Sequence, residues 1–493
     1  MDTQVTETME KQYLYNEVAE RIESLVEGGT LRPGDRIPSI REYSKQAQVS
    51  INTVKVAYNH LEDRRVIEAR PQSGYYVCPR RLDAIREPKI TEVDINPLEI
   101  TSSDLVVQLM QDVMDPAMVQ FGAAVPDPTL IPSQQLARIL GTQARLHHAT
   151  STAYEASIGN KRLRSQIARW MVKAGLTLHP EELIITSGAS EAVFLALQTL
   201  CQPGDTVAVT SPIYFNFVQM FKLLHLRVIE IPNSPTEGIH LETLRKALAT
   251  HTISCCLVIS NFDNPLGGCL PDEKKRELVQ LTSTLGVPLI EDDINGDLCH
   301  GDERPSVAKA WDKAGNVLLC SSFSKTIAPG YRVGWIAPGK YLNEVLHRKI
   351  VSNIATASPT QLAVADFLEN GGYLRHLRRL RKEYATKLAR MVEDISYFFP
   401  PGTRVTSPKG GFTLWLELPV EVDTVVLYAQ ATAKKITMAP GKLFSTREKY
   451  KNCLRLNSAC WSEENRWAIQ CLGELSVQLV EDRSIEVEKR PPD

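Results

Sequence analysis

Lys325 stands in the run Ser321-Ser322-Phe323-Ser324-Lys325-Thr326-Ile327-Ala328-Pro329-Gly330-Tyr331-Arg332-Val333-Gly334-Trp335. A primary amine can condense with an aldehyde to form a Schiff base, while hydroxyls and a guanidinium close by can hold a phosphate. Those are the groups that pyridoxal phosphate (PLP) asks of a protein. A Ser-x-Ser-Lys string alone also describes an ordinary loop lysine, so the reading depends on what else the chain supplies.

Acids and arginines elsewhere complete the set. Glu291-Asp292-Asp293 follows the apolar run Pro288-Leu289-Ile290, which puts a carboxylate at the end of a strand. A buried acid needs a cation, and a pyridinium nitrogen is one; the pair would keep that nitrogen protonated so that the ring accepts carbanion charge. Arg455, among the apolar residues of Cys453-Leu454-Arg455-Leu456-Asn457, can clamp a carboxylate with two hydrogen bonds or serve a structural ion pair. Ser187-Gly188-Ala189-Ser190 opens a clear helix, Glu191 to Leu197, where free N–H groups can meet a phosphate; a plain tight turn is the alternative. Tyr214, after Ser211-Pro212-Ile213, can stack on a flat ring or fill a core.

The elements that must position these groups alternate. Strands are expected at 183–186, 206–209, 254–259, 288–291 and 317–320, separated by helical segments. That order predicts an α/β domain with a mainly parallel sheet and its active residues at the carboxyl ends of the strands.

The first 78 residues read differently. Leu14, Val18, Ile22 and Leu25 recur at helical spacing until Gly28-Gly29; Arg32-Pro33-Gly34 makes a turn; Ser39-Ile40-Arg41-Glu42 forms a capping box for a second helix. Ser50 caps a third, whose wheel places Ile51, Val54, Ala57, Tyr58 and Leu61 on the packed side and Asn52, Thr53, Lys55, Val56, Asn59 and His60 on the other. Runs 66–69 and 75–77 flank Arg70-Pro71-Gln72-Ser73-Gly74 as a two-stranded wing. Helix, turn, helix, capped helix and hairpin make a winged helix-turn-helix, with the third helix suited to a major groove.

These motifs resemble the GntR family closely: Pro33-Gly34, Ile37-Pro38-Ser39-Ile40-Arg41, Val49-Ser50-Ile51-Asn52-Thr53-Val54 and Gly74-Tyr75-Tyr76-Val77. The resemblance implies Arg41 on a phosphate, Ser50, Asn52, Thr53 and Lys55 at the groove, and Ser73 and Gly74 at the minor groove. Two departures stand out: Ile51 replaces a usual basic residue, and Arg64-Arg65 a usual glycine. From Lys11 to Arg81 there are 12 Lys plus Arg against 9 Asp plus Glu, a net of +3, so one copy should grip DNA modestly and two would help.

From Phe121 to Leu479 the chain looks like a fold-type I aminotransferase of the aspartate and aminoadipate/kynurenine type. The ordered matches are Tyr154 to Gly159 with Leu163-Arg164, the Gly188 helix start, Pro212-Ile213-Tyr214, Asn264-Pro265-Leu266-Gly267, Glu291-Asp292-Asp293, Ser322-Phe323-Ser324-Lys325 with Arg332, Met438-Ala439-Pro440-Gly441 and Leu454-Arg455-Leu456-Asn457. The resemblance implies Lys325 as the Schiff-base lysine, Asp292 at the pyridine nitrogen, Asn264 at the ring hydroxyl and Tyr214 stacked on the ring. It implies a phosphate held by Gly188, Ala189, Ser190, Ser322, Ser324 and Arg332, with Tyr154 reaching it from a second subunit. Arg455, with Asn264, would hold the α-carboxylate of a substrate or effector. The family's tyrosine two or three residues after the aspartate is missing, because Asp293, Ile294 and Asn295 follow Asp292.

A GntR-like head on an aminotransferase-like body is the arrangement of the MocR family of transcriptional regulators, which this chain resembles along nearly its whole length. The organisation expected is a winged helix at 9–78, a charged, proline-spotted linker at 79–103, a PLP-binding domain of mainly parallel sheet with a small C-terminal α/β part at 104–480, and a charged tail at 481–493. The function implied is a homodimeric, double-stranded-DNA-binding regulator that senses PLP, or an amine or amino acid, through a Lys325 imine. The alternative is an active amino-acid aminotransferase with an accessory winged helix, and a third is a vestigial PLP fold kept for dimerisation.

The net charge of -2 hides the basic head, and the ten cysteines form no Cys-x-x-Cys pair, so free thiols in a reducing cytoplasm are expected and no metal site. The polar, acidic start and the absence of a long apolar run argue against an export signal or a membrane span.

Overall fold

The computed structural model describes residues 2–27, 30–31, 35–63, 66–70, 73–77, 86–98 and 104–488. The expected Gly28-Gly29 stop, the Arg32-Pro33-Gly34 turn, Arg64-Arg65, the wing residues Pro71 and Gln72, Cys78, the linker ends 79–85 and 99–103 and the tail residues 489–493 lie outside them. The chain divides into two compact units, one of residues 1–85 together with Glu393–Phe398, the other of residues 86–392 and 399–493.

In the first unit, helix α1 (Asp2–Glu27), strand β1 (Arg36–Ile37), helices α2 (Ile40–Ala47) and α3 (Ile51–Asp63), and strands β2 (Ile67–Arg70) and β3 (Gly74–Val77) follow in order. The strands form one antiparallel sheet in the order β1-β3-β2. The capping box is present, with Ser39 N donating to Glu42 Oε2 at 2.8 Å and Glu42 N to Ser39 Oγ at 3.3 Å. Val18, Ile22, Ile37, Val54, Tyr58 and Leu61 form the core, and the Tyr58 hydroxyl is satisfied by Pro38 O at 2.7 Å.

The wheel expected for α3 needs two corrections. Thr53 is buried and Ile51 is exposed, so the packed stripe runs through Thr53, Val54, Ala57, Tyr58 and Leu61. Ile51 falls in the first turn, at the free end of the helix and short of the packed residues. Thr53 turns inward because its hydroxyl and its N–H both bond Ser50 Oγ, at 2.7 and 3.1 Å, in the helix cap.

The large unit is built on an eight-stranded sheet. Its order is Ile184–Thr186, Gly334–Ala337, Val317–Ser322, Leu289–Asp292, Cys255–Ile259, Thr206–Ser211, Arg227–Ser234 and Gly238–Ile239. Gly334–Ala337 runs antiparallel to both neighbours, the edge strand Gly238–Ile239 is antiparallel to its one neighbour, and the remaining pairs are parallel. Three apolar clusters cover the faces, one around Leu163, Phe323 and Leu377, one around Val193, Phe221 and Leu318, and one around Ile229, Leu244 and Leu278. The expected strands are all present, each displaced by one or two residues at an end, whereas the antiparallel Gly334–Ala337 strand lay unread inside the lysine motif.

A smaller antiparallel sheet follows, in the order Arg404–Val405, Thr413–Glu417, Cys453–Asn457, Ala439–Pro440. Residues 86–98 are extended and fixed to this unit rather than loose. Lys89 N donates to Glu417 Oε2 at 2.8 Å, Arg447 Nη1 to Asp94 Oδ2 at 3.1 Å, Lys449 Nζ to Glu92 O, and Leu98 bridges Val228. Among the described residues no helix is long and apolar enough to cross a membrane.

Candidate functional site

The carboxyl ends of the parallel strands converge on one cleft of about 110 Å³. Its walls include Ala189, Ser190, Tyr214, Asn264, Asp292, Ser324, Lys325 and Arg332. These residues come from five separate strand ends and span more than 140 positions of the chain, so the sheet alone brings them together.

Lys325 Nζ donates to Ala124 O. Burial and the nearby Arg455 cation push its pKa down to about 8, against the opposing pull of Asp292. An amine with that pKa is partly neutral near pH 7 and so available as a nucleophile.

Asp292 ends its strand at 4% exposure and accepts Ile294 N at 3.2 Å. Burial, reinforced by the adjacent Asp293, raises its pKa to about 7. Among the described residues Asp292 has no ion-pair partner, which suits an acid that awaits a cation in the cleft.

The phosphate-side residues interlock. Gly188, at φ 88°, precedes helix Ala189–Leu200, and a Cβ there would lie 2.5 Å from Arg332 Nη2, so only glycine lets the guanidinium close on the helix start. Arg332 donates to Ser187 O at 2.7 Å and to Ser324 Oγ at 3.4 Å, and Ser322 Oγ donates to Ser324 Oγ at 2.8 Å. Ser322 therefore stands behind the cleft and orients Ser324. Free helix N–H groups, hydroxyls and a guanidinium together form an anion cradle.

Arg455 lies mid-strand, fully buried, opposite Trp415 and Ala439. It donates to Asn264 Oδ1 at 3.1 Å and to Gly122 O, and it lies beside the paired rings of Phe215 and Phe444, 5.7 and 5.3 Å from their centroids. Its Nε has no partner, and burial pulls its pKa down. A buried cation with an unused donor and no carboxylate partner is prepared for an anionic ligand.

Tyr214 caps helix Phe215–Leu223, and its ring meets Phe215 and Phe217 at centroid distances of 5.1 and 5.2 Å. Tyr154 is elsewhere: 83% exposed, it does not line the cleft of this chain. Asn295, in the region of the missing phenol, lines the cleft and donates to Phe262 O at 2.8 Å.

Sequence reasoning missed the apolar wall, Phe217, Ile259, Ile294 and Phe412, and a buried network behind the cleft. Arg304 pairs with Asp293 and, at 2.6 Å, with Asp297; Asp297 accepts Trp170 Nε1 and, at 2.6 Å, the Tyr373 hydroxyl, which lies 3.0 Å from Thr326 Oγ1. Asp293 adjoins Asp292 and Thr326 adjoins Lys325, so one ion cluster braces both. The doubled acid Asp292-Asp293 was the available signal, since two neighbouring buried carboxylates require a cation.

On the first unit, Arg41, Ser50, Asn52, Lys55 and Ser73 are exposed, Gly74 is half-buried at φ 115°, and Thr53 is buried. Ser73 Oγ lies 2.6 Å from the Tyr76 hydroxyl.

Comparison with known proteins matches both units. Residues 14–77 fit the model of bacterial regulatory proteins of the gntR family, and residues 129–470 fit that of aminotransferase class I and II. The chain is 38% identical to YdcR of Escherichia coli strain K12, described as an uncharacterized HTH-type transcriptional regulator, over 94% of this chain and 98% of that one. It is 40% identical to YjiR of the same strain, over 95% and 99%. Among solved structures, the multiple substrate aminotransferase of Thermococcus profundus superposes with a TM-score of 0.72 at 25% identity, covering 78% of this chain and 96% of that one. The α-aminoadipate aminotransferase LysN of Thermus thermophilus, in complex with N-(5'-phosphopyridoxyl)-L-leucine, gives 0.71 at 27% identity, covering 78% and 96%.

Proposed function

Because the chain belongs to the MocR family, in which a gntR-type winged helix is joined to an aminotransferase class I and II domain, we propose that it is a PLP-binding transcriptional regulator whose DNA affinity responds to an amine or amino acid. The observation that carries this reading is the pairing, on one chain, of a winged helix with a cleft that brings Lys325, Asp292, Asn264 and Arg332 together. PLP, when bound, supplies an aldehyde that condenses with amines and a ring that withdraws electrons.

The residues of the chain fit it. Lys325 offers an amine of lowered pKa, Asp292 an unpaired buried carboxylate for the ring nitrogen, and Asn264 an amide for the ring hydroxyl. Gly188, Ala189, Ser190, Ser324 and Arg332 cradle the phosphate, with Ser322 behind them, and Tyr214 faces the ring. Tyr154, exposed here, would complete the phosphate site of a second copy in a homodimer. Arg455 takes the α-carboxylate of the effector.

Ligand occupancy alters DNA binding only if the ligand binds two arrangements of the protein unequally. Residues 86–98, pinned to the large unit by Arg447, Lys449 and Glu417, are the segment through which such a difference would reach the DNA-binding head.

The test is binding of full-length protein to DNA from its own upstream region, with and without PLP and with a panel of amino acids. The expected result is a salt-sensitive complex whose affinity changes at least severalfold with PLP plus one amino acid. Steady multiple turnover of an amino donor and a keto acid, with DNA binding indifferent to both, would instead identify an aminotransferase.

A further inference from the structure

Helix α3 departs from its expected wheel at the residues that face outward. Its exposed side chains are Ile51, Asn52, Lys55, Val56 and Asn59. Ile51 and Val56 are 55% and 42% exposed, and they flank polar side chains on one helix face. Among the described residues the side chains of Asn52, Lys55 and Asn59 have no hydrogen-bond partner. By contrast, Glu62 is engaged, accepting Ala69 N at 2.9 Å. At 100° per residue these five side chains cover an arc of about 140°, with Ile51 and Val56 at its two edges and the amides and the ammonium between them.

This combination has a chemical counterpart in duplex DNA. In the major groove adenine presents N7 and the N6 amino group, which an asparagine amide matches with two hydrogen bonds, and thymine presents a methyl group that takes an apolar contact. Guanine is most often read by arginine or lysine; helix α3 contains no arginine and a single lysine, Lys55. From the DNA-binding reading given above, on which this step rests, we infer that α3 selects A·T base pairs: Asn52 reads adenine, and the methyls of Ile51 and Val56 pack on thymine methyls. Lys55 supplies a donor to a thymine O4 or a neighbouring phosphate. The loss of a basic residue at position 51 thus exchanges a charge contact for a methyl contact, lowering salt-dependent grip while adding base discrimination.

The experiment selects binding sites from random duplexes with the full-length protein. Deoxyuridine is then substituted for thymidine within the selected motif, which removes the 5-methyl group and leaves the hydrogen-bonding edge intact. The expected motif has A·T pairs at the positions protected in the major groove, and each critical methyl removed weakens binding about threefold to fourfold, the worth of one buried methyl-sized group. Ile51→Ala should bind the thymidine and deoxyuridine duplexes more nearly alike, with an unchanged melting temperature and an unchanged salt dependence. Asn52→Ala should relax the preference for adenine. Selection of G·C pairs at those positions, or indifference of the wild-type protein to methyl removal, overturns the inference while leaving DNA binding in place. Failure to enrich any sequence at low salt removes the DNA-binding reading and this inference with it.

Discussion

In the cleft of the large unit Asp292, Asn264 and Arg455 are buried, and Arg332, though exposed, is tied to its neighbours, whereas on helix α3 Asn52 and Lys55 are exposed and, among the described residues, bonded to nothing. Arg332 holds Ser187 O and Ser324; Arg455 holds Asn264 and Gly122 O; Arg304 holds Asp293 and Asp297. Each of these groups depends on its partners, most strongly where burial lowers the local dielectric around Arg455 and Arg304, so their identities are tightly constrained. Asn52 and Lys55 have no hydrogen-bond or ion-pair partner among the described residues, so packing of the folded chain does not constrain their identities. Substitutions in the cleft should therefore perturb cofactor chemistry and folding together, whereas substitutions on α3 should change recognition and leave folding alone.

The largest effect is expected at Lys325. In Lys325→Ala the visible absorbance of protein-bound PLP and its fixation by borohydride should both be abolished, as read by spectroscopy and by the mass of the protein. Retained fixation at another lysine would break the assignment of the cleft. Next comes Arg304→Met, which leaves Asp293 and Asp297 buried without their cation and should cost about 3–5 kcal/mol in unfolding free energy. Denaturant unfolding of the large unit measures it, and the first unit should retain its DNA binding.

The pH dependence sharpens the same contrast. With Lys325 at about 8, the rate of PLP capture should climb as pH rises toward 8 and level off above it, because only the neutral amine attacks. Asp292, raised to about 7, binds its proton more tightly folded than unfolded. The PLP-free protein should thus lose stability as pH rises from about 4 to about 7, and Asp292→Asn should lack that component of the slope. A melting series across this window checks the sign.

The cleft was legible in sequence because its chemistry is local. Each short motif lies at a strand end, and the alternation of strands with helices fixes which ends converge, so Lys325, Asp292 and Arg332 could be grouped from the order of motifs alone. What stayed hidden depends on partners far along the chain: the 333 positions that separate Arg455 from its acceptor Gly122, the pair of aromatic rings beside that guanidinium, and the Arg304 cluster. The first unit was legible as an order of elements but not as a surface. A helical wheel assigns faces by angle alone, and it misplaced Ile51 and Thr53 because the helix end and the Ser50 cap, rather than the angle, decide their exposure. Residues 86–98 read as linker because extended chain that packs through backbone atoms leaves no periodic pattern.

The smallest effect tests whether the first unit's interior is as separable from its surface as α3 suggests. Tyr58 is fully buried beneath the exposed face, its ring against Tyr75 at 4.9 Å and its hydroxyl on Pro38 O at 2.7 Å, just before the Ser39 cap of α2. Tyr58→Phe keeps the packing and deletes one hydrogen bond, leaving a carbonyl short of a partner, and should lower the stability of this unit by about 1 kcal/mol. Affinity for a selected duplex should be unchanged at temperatures well below unfolding, because neither α3's outer residues nor Arg41 lose a contact. If affinity instead falls tenfold with the melting temperature little altered, the orientation of α3 is set by this buried hydroxyl, and the surface cannot be treated apart from the core that carries it.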